Sequence, residues 1–222
     1  MAVIAKAYGL FLKSLFNKEI DWDSDSIKAM LTTSAYVPDQ DAHQYKSSVT
    51  NELVTTATTL SSAASSGATT ISVAASIPVG NAIAIDTGGT VEYRIVTAVT
   101  GSGPYTLTLG AIGTGSAALG SAHASGATVQ ANPGYTAGGI ALSGVTVAYN
   151  ASTNTLTLDA NDISWASATI NARELVLYDS MPSTDATRTL IGYADFGADM
   201  ASQNAAFSVA WDPAGILTAT VA

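Results

Sequence analysis

The sequence predicts a mainly β protein: an antiparallel β-sandwich host domain with a short N-terminal helix, and a second small β domain inserted in one of its loops. Three observations carry this expectation. Apolar residues alternate with polar ones in many short runs separated by turn-forming Gly, Pro, Asn and Asp, the pattern of a sandwich or barrel. A helical stripe occurs only at the start. Between Val54 and Pro133 the only charged residues are Asp86, Glu92 and Arg94, a composition shift that marks a separate module.

In chain order, Val3, Ala7, Leu10, Phe11 and Leu15 share one helical face with Lys6 and Lys13 off it. Lys13 and Lys18 suit the C-terminal end of a helix dipole, whereas Gly9 weakens the helix. Ile27, Ala29 and Leu31 alternate with Lys28, Met30 and Thr32 as a strand. Within the charge-poor stretch, Ile71 with Val73 and Ile83 with Ile85 predict short strands, the latter ending in the turn Asp86-Thr87-Gly88-Gly89. Val91, Tyr93, Ile95 and Val99 share a face; Gly101-Ser102-Gly103-Pro104 turns the chain, and Tyr105, Leu107 and Leu109 return it as a hairpin. Ser-Gly-Ala-Thr at 66–69 and again at 125–128 predicts a turn leading into a strand both times. Further strands are predicted at Ile140-Leu142, Val145-Val147-Tyr149, Leu156-Leu158, Ile170 to Tyr178, Leu190 to Phe196, Phe207-Val209-Trp211 and Leu217 to Val221. A slip in the alternation at Ser143-Gly144 marks a bulge or tight turn, and Asn150 to Asn154 is a turn. The expected organisation is residues 1–53 plus 133–222 as a discontinuous host domain and 54–132 as the inserted domain.

Composition excludes several classes. Of 222 residues, 47% are hydrophobic and 11% charged, against about 25% charged in ordinary domains; Ala, Ser, Thr and Gly make up about half of the chain. That hydrophobic share separates it from intrinsically disordered sequences. No apolar run approaches the roughly 18 residues of a membrane span, and Lys6 and Lys13 interrupt the N-terminal apolar residues, so no signal peptide is expected. Without cysteine there is no disulfide framework, thiolate nucleophile or thiolate zinc site. A net charge of −9 and a pI near 4.3 disfavour nucleic acid, whose binding depends on Lys and Arg.

Motifs for chemistry are sparse. Asp21-Trp22-Asp23-Ser24-Asp25-Ser26 places carboxylates at alternate positions, as in the first half of a calcium loop, but Ser26 and Thr32 stand where an EF-hand needs Gly and Glu. A solvated Asx/Ser turn is expected instead, and the same holds for Asp39 and Asp41. His43 and His123 lack the spacing of a zinc pair and any accompanying nucleophile motif, so surface or packing roles are expected. Gly110 to Gly120 lacks the Lys and strand-to-helix setting of a phosphate loop. Asp159 with Asp162, or Glu174 with Asp179, offer carboxylate pairs for acid–base work. Trp22, Trp165 and Trp211 are expected as core anchors. No catalytic, cofactor-binding or metal residue is assigned, no cofactor is expected, and the chain is read as not an enzyme.

Two flanking regions carry a resemblance. Ile20-Asp21-Trp22-Asp23-Ser24-Asp25-Ser26-Ile27-Lys28-Ala29-Met30-Leu31, followed by Tyr36-Val37-Pro38-Asp39-Gln40-Asp41-Ala42-His43, resembles the N-terminal signature of a family of tailed-bacteriophage virion proteins. So do Gly134-Tyr135-Thr136-Ala137-Gly138-Gly139-Ile140-Ala141-Leu142 and Trp211-Asp212-Pro213-Ala214-Gly215-Ile216-Leu217. The resemblance covers residues 1–53 and 133–222. In shorter relatives Val-Thr-Asn-Glu runs almost directly into Gly-Tyr-Thr-Ala-Gly-Gly, which places the extra residues here in a tolerant loop. The inserted part, at Gly67 to Val73 and Leu119 to Val129, resembles small β domains of other phage structural proteins.

The resemblance implies a virion structural protein made in the bacterial host cytoplasm: a capsid decoration or minor capsid protein on the outer head surface, or alternatively a tail component (tube, baseplate or fibre) whose inserted domain binds host glycans. Partners are then the major capsid protein or other virion proteins, and further copies in a homo-oligomer, with no nucleic acid and no membrane. The candidate assembly interface is the apolar face of the N-terminal segment, Val3, Leu10, Phe11 and Leu15, with neighbouring strand edges; its alternative is a helix capping its own core.

Overall fold

The computed structural model describes residues 2, 3 and 5–221, and it is mainly β with one short helix. No helix among the described residues is long and apolar enough to cross a membrane. A six-stranded sheet runs in the order β1 (Ala2–Val3), β14 (Leu190–Trp211), β13 (Ile163–Asp179), β3 (Ile27–Thr32), β10 (Ile140–Ala141), with β2 (Lys6–Ala7) also on β14. All pairs are antiparallel except β1 with β14. Leu175 to Tyr178 are all buried. They form the continuous apolar run expected of a central strand covered on both faces, rather than an alternating one.

Leu190–Phe196 and Phe207–Trp211, read from the sequence as separate strands, are two ends of the single 22-residue strand β14. The polar and small residues between them stay extended because they pair with Ala168 to Ala172 of β13. Positive φ at Ser167, Gly197 and Asn204, with register shifts along the pair, bends this ladder.

The expected N-terminal helix begins later than its apolar stripe. Val3 lies in β1 opposite Trp211, and Lys6 in β2 opposite Tyr193, because the edge of β14 offers these residues a ladder. The helix α1 occupies Gly9–Phe16 only. It stops at Asn17 and Lys18, the latter at φ 58°, with the Glu19 amide donating back to the Ser14 carbonyl at 2.9 Å. A third element, the sheet β11 (Thr146–Asn150), β12 (Thr155–Asp159), β15 (Leu217–Thr220), packs Leu158 into the main core while β11 stays exposed throughout.

All strands of the remaining sheet come from residues 57–131: β4 (Ala57–Thr59), β9 (Thr128–Ala131), β6 (Ala82–Ile85), β7 (Glu92–Thr100), β8 (Tyr105–Gly110), β5 (Thr70–Val73), in that order. The Ser61 amide donates to the Ser72 carbonyl (2.9 Å) and the Ala74 amide to Thr59 (3.1 Å), so the outermost strands meet and the sheet closes into a small barrel. Closure removes the exposed edges that a chain so poor in charge has few means to protect. The barrel core (Ile71, Val73, Ile83, Ile85, Val96, Leu107, Val129) shares no residue with the main core.

Buried polar groups hold the barrel loops and its neck. The His123 ring, fully buried, lies 3.1 Å from Asp86 on one side and 3.1 Å from Glu92 on the other. Glu92 also accepts from the Gly120 and Ser121 amides and from Arg94, and Arg94 donates to the carbonyls of Ala117 and Ala118. This network straps the long 111–127 connection to β7. At the neck, Glu52 accepts from the Tyr135 hydroxyl at 2.9 Å and from the Gly138 amide, so the two chain crossings are fastened to each other.

Candidate functional site

A concave, mainly apolar surface lies between α1 and the three-stranded sheet. It encloses about 570 Å³ and is walled by Phe11, Leu12 and Leu15 on one side and Val147, Leu156 and Leu217 on the other. Its floor is set by Trp22, whose indole N–H donates to the Thr146 carbonyl at 3.0 Å and ties the 20–25 turn to β11. Asp21, Asp23 and Gln40 form the rim. Gln40 donates from its side chain to the Ala7 carbonyl at 2.7 Å, fixing the start of the helix against the rim. Every lining residue comes from the segments that flank the barrel.

Of the four candidate interface residues, Phe11 and Leu15 meet in this groove, while Val3 and Leu10 lie outside it. Val3 is 6% and Phe11 3% exposed; both belong to the main core, and Leu15 packs against it. The expectation that Val3 and Phe11 offer a free apolar face is therefore corrected. The sequence stripe assumed a helix from Val3 onward, and once the helix starts at Gly9 its inward side carries Phe11 and Ser14. The apolar side chains it presents to solvent are Leu12, 52% exposed, and Phe16, 85% exposed. Their i,i+4 spacing is legible in the sequence, but the longer apolar stripe beginning at Val3 masks it.

The acidic motif at 21–25 forms a turn, the Asp21 amide donating to the Asp25 carboxylate at 2.6 Å. Among the described residues, no group of three or more His, Cys, Asp or Glu is placed to hold a metal ion. Asp39 accepts from the amides of Asp41 and Ala42 and caps its own turn. His43 joins a hydrogen-bonded line, with Tyr8 and Tyr36 hydroxyls 2.8 Å apart and Tyr36 3.0 Å from the His43 ring. Trp22, Trp165 and Trp211 are all core residues.

Glu174 pairs across the sheet with Asp195, a partner other than the Asp179 suggested by sequence proximity. It sits in a polar hollow of about 350 Å³ with Lys6, Tyr36, Arg173, Tyr193 and Asp195. Burial, reinforced by the Asp195 charge, pushes its carboxyl up to about 7. Asp195 is held below the usual carboxylate range by the Arg173 guanidinium at 2.7 Å and the Gly197 amide. One Glu174 oxygen is buried without a hydrogen-bond partner, and the buried residues Tyr36 and Tyr193 line the same hollow.

Compared with family models, with curated proteins and with solved structures, the chain matches none. The geometry and the sequence resemblance are therefore the grounds for a functional reading.

Proposed function

We propose that this chain is a non-enzymatic bacteriophage virion structural protein, a capsid decoration or minor capsid protein on the outer head surface. The observation that carries the reading is the apolar groove beside α1, with Leu12 exposed in its wall and Phe16 exposed at the end of the same helix. A contiguous apolar surface of this kind is costly to leave in water and marks a contact with another protein. Its lining comes only from the segments that resemble phage virion proteins, so attachment through it leaves the barrel free to project. A surface rich in Ala, Ser, Thr and Gly suits close packing in arrays where symmetry multiplies a small contact. The acidic net charge suits a part facing the medium rather than packaged DNA.

Counting copies in purified virions after separating heads from tails tests this. Hundreds of copies on heads are expected. A protein found only with tails supports the tail-component alternative and overturns the head assignment, and a protein missing from particles overturns the virion reading altogether.

A further inference from the structure

From the exposed strand β11, we infer that the chain forms a two-fold dimer in which β11 of one copy pairs antiparallel with β11 of a second. Among the described strands, β11 pairs only with β12, in unbroken register from Thr146 to Asn150, so its outer edge is open. All five of its residues are exposed. An edge of this kind is a template for another strand unless Lys, Pro or a bulge blocks it, and Thr146-Val147-Ala148-Tyr149-Asn150 has none of these.

The occupant follows from the sequence of the strand itself. An antiparallel two-fold centred on Ala148 sets Val147 of each copy opposite Tyr149 of the other, and Thr146 opposite Asn150. Val147 and Tyr149 are 43% and 57% exposed and, two residues apart, share one face, the face on which Val147 lines the groove. The pairing makes two β-branched–aromatic contacts, a favourable cross-strand combination, and extends the apolar face into a continuous six-stranded sheet. The Tyr149 hydroxyl, bonded to Asn154 at 3.0 Å, holds the ring along its own hairpin. Charge points the same way. Two copies of a chain of net charge −9 repel, but residues 140–158 carry no charged side chain, so the pairing sets no like charges directly opposite each other on the two strands. The inference concerns the isolated chain and does not depend on where the protein sits in a particle.

The absence of cysteine makes the test direct. Residues facing each other across an antiparallel pair have Cα atoms about 4.5–5.5 Å apart, inside the roughly 4.4–6.8 Å span of a disulfide. Full-length Ala148→Cys is expected to become a covalent dimer under mild oxidation, while Thr153→Cys, in the hairpin loop, stays monomeric on the same non-reducing gel. Sedimentation at about 100 µM, where a small β-edge contact populates a dimer, is expected to show a wild-type dimer. Tyr149→Lys weakens it at least tenfold without shifting the thermal midpoint. A monomeric wild type, cross-linking of Ala148→Cys no greater than of Thr153→Cys, or a dimer indifferent to Tyr149→Lys each overturns the inference. Copy counting in virions reads the functional assignment separately, so the two can fail independently.

Discussion

Asn81 and Asn132, 51 residues apart, share a buried hydrogen bond of 2.6 Å at the neck of the barrel. The Asn132 amide nitrogen also donates to the Val54 carbonyl (2.9 Å), and its oxygen accepts from the Ala82 amide (3.1 Å). Asn81 accepts from the Val54 amide at 3.0 Å. The chain's entry into the barrel, its exit and β6 are thus fastened at one point. Asn171 of β13 donates to the neighbouring Gly80 carbonyl at 3.0 Å, so a hydrogen bond joins the barrel to the main sheet at this same neck.

Asn132→Ala is expected to destabilise the protein by about 2–3 kcal/mol, because it strands the buried Ala82 amide and the Val54 carbonyl without partners. Urea unfolding followed by tryptophan fluorescence checks this. A loss under about 0.5 kcal/mol, the range of neutral surface changes, would show that water replaces the amide freely.

Gly139 has φ 74°, and a Cβ there would collide with the Ala29 carbonyl across the β10–β3 pair. Gly139→Ala is expected to cost more than about 4 kcal/mol and to leave little folded protein. Gly67, at φ 84° with nothing near the position of a Cβ, isolates the backbone term. Gly67→Ala is expected to cost only about 1–2 kcal/mol. Comparable melting temperatures for the two variants would refute the packing argument.

Glu174 gives a pH dependence of defined sign. Its folded-state carboxyl titrates near 7, above its ordinary value of 4.5, so the native state holds the proton more tightly than the unfolded chain does. Its contribution is therefore fully present below about pH 4.5 and is lost as pH rises towards 7 and beyond. Glu174→Gln removes that loss: relative to wild type, its urea midpoint is expected to rise between pH 5 and pH 8. A midpoint difference that stays constant over this range would exclude Glu174 as the titrating group.

Leu12→Glu with Phe16→Glu is expected to leave the fold intact, because both side chains point to solvent, while abolishing attachment to undecorated heads. Phe11→Ser, by contrast, is expected to destabilise by about 3 kcal/mol, the cost of truncating a buried aromatic. Circular dichroism and co-sedimentation with heads separate the two effects; normal decoration by the double variant would remove the groove edge from the contact.

The sequence by itself determined the β class and the positions of most strands and turns. The alternation at Ile27 to Thr32, the hairpin around Gly101 to Pro104 and the turn at Asn150 to Asn154 are local patterns, set by side chains that face one sheet surface and by residues that tolerate turn geometry. Tertiary structure decided what depends on partners far along the chain. Val3 is a strand residue because β14, some two hundred positions away, offers it an edge. Residues 200–205 stay within one strand because β13 pairs with Met200, Ala201, Ser202 and Ala205. Glu174 is perturbed by Asp195, which only the register places beside it. The groove is half legible in the sequence: Phe11 and Leu15 stand out as apolar, but which face of α1 meets the core follows from where the helix starts. That start was set by competition between helix formation and ladder hydrogen bonds at Lys6 and Ala7, a contest that local periodicity does not record.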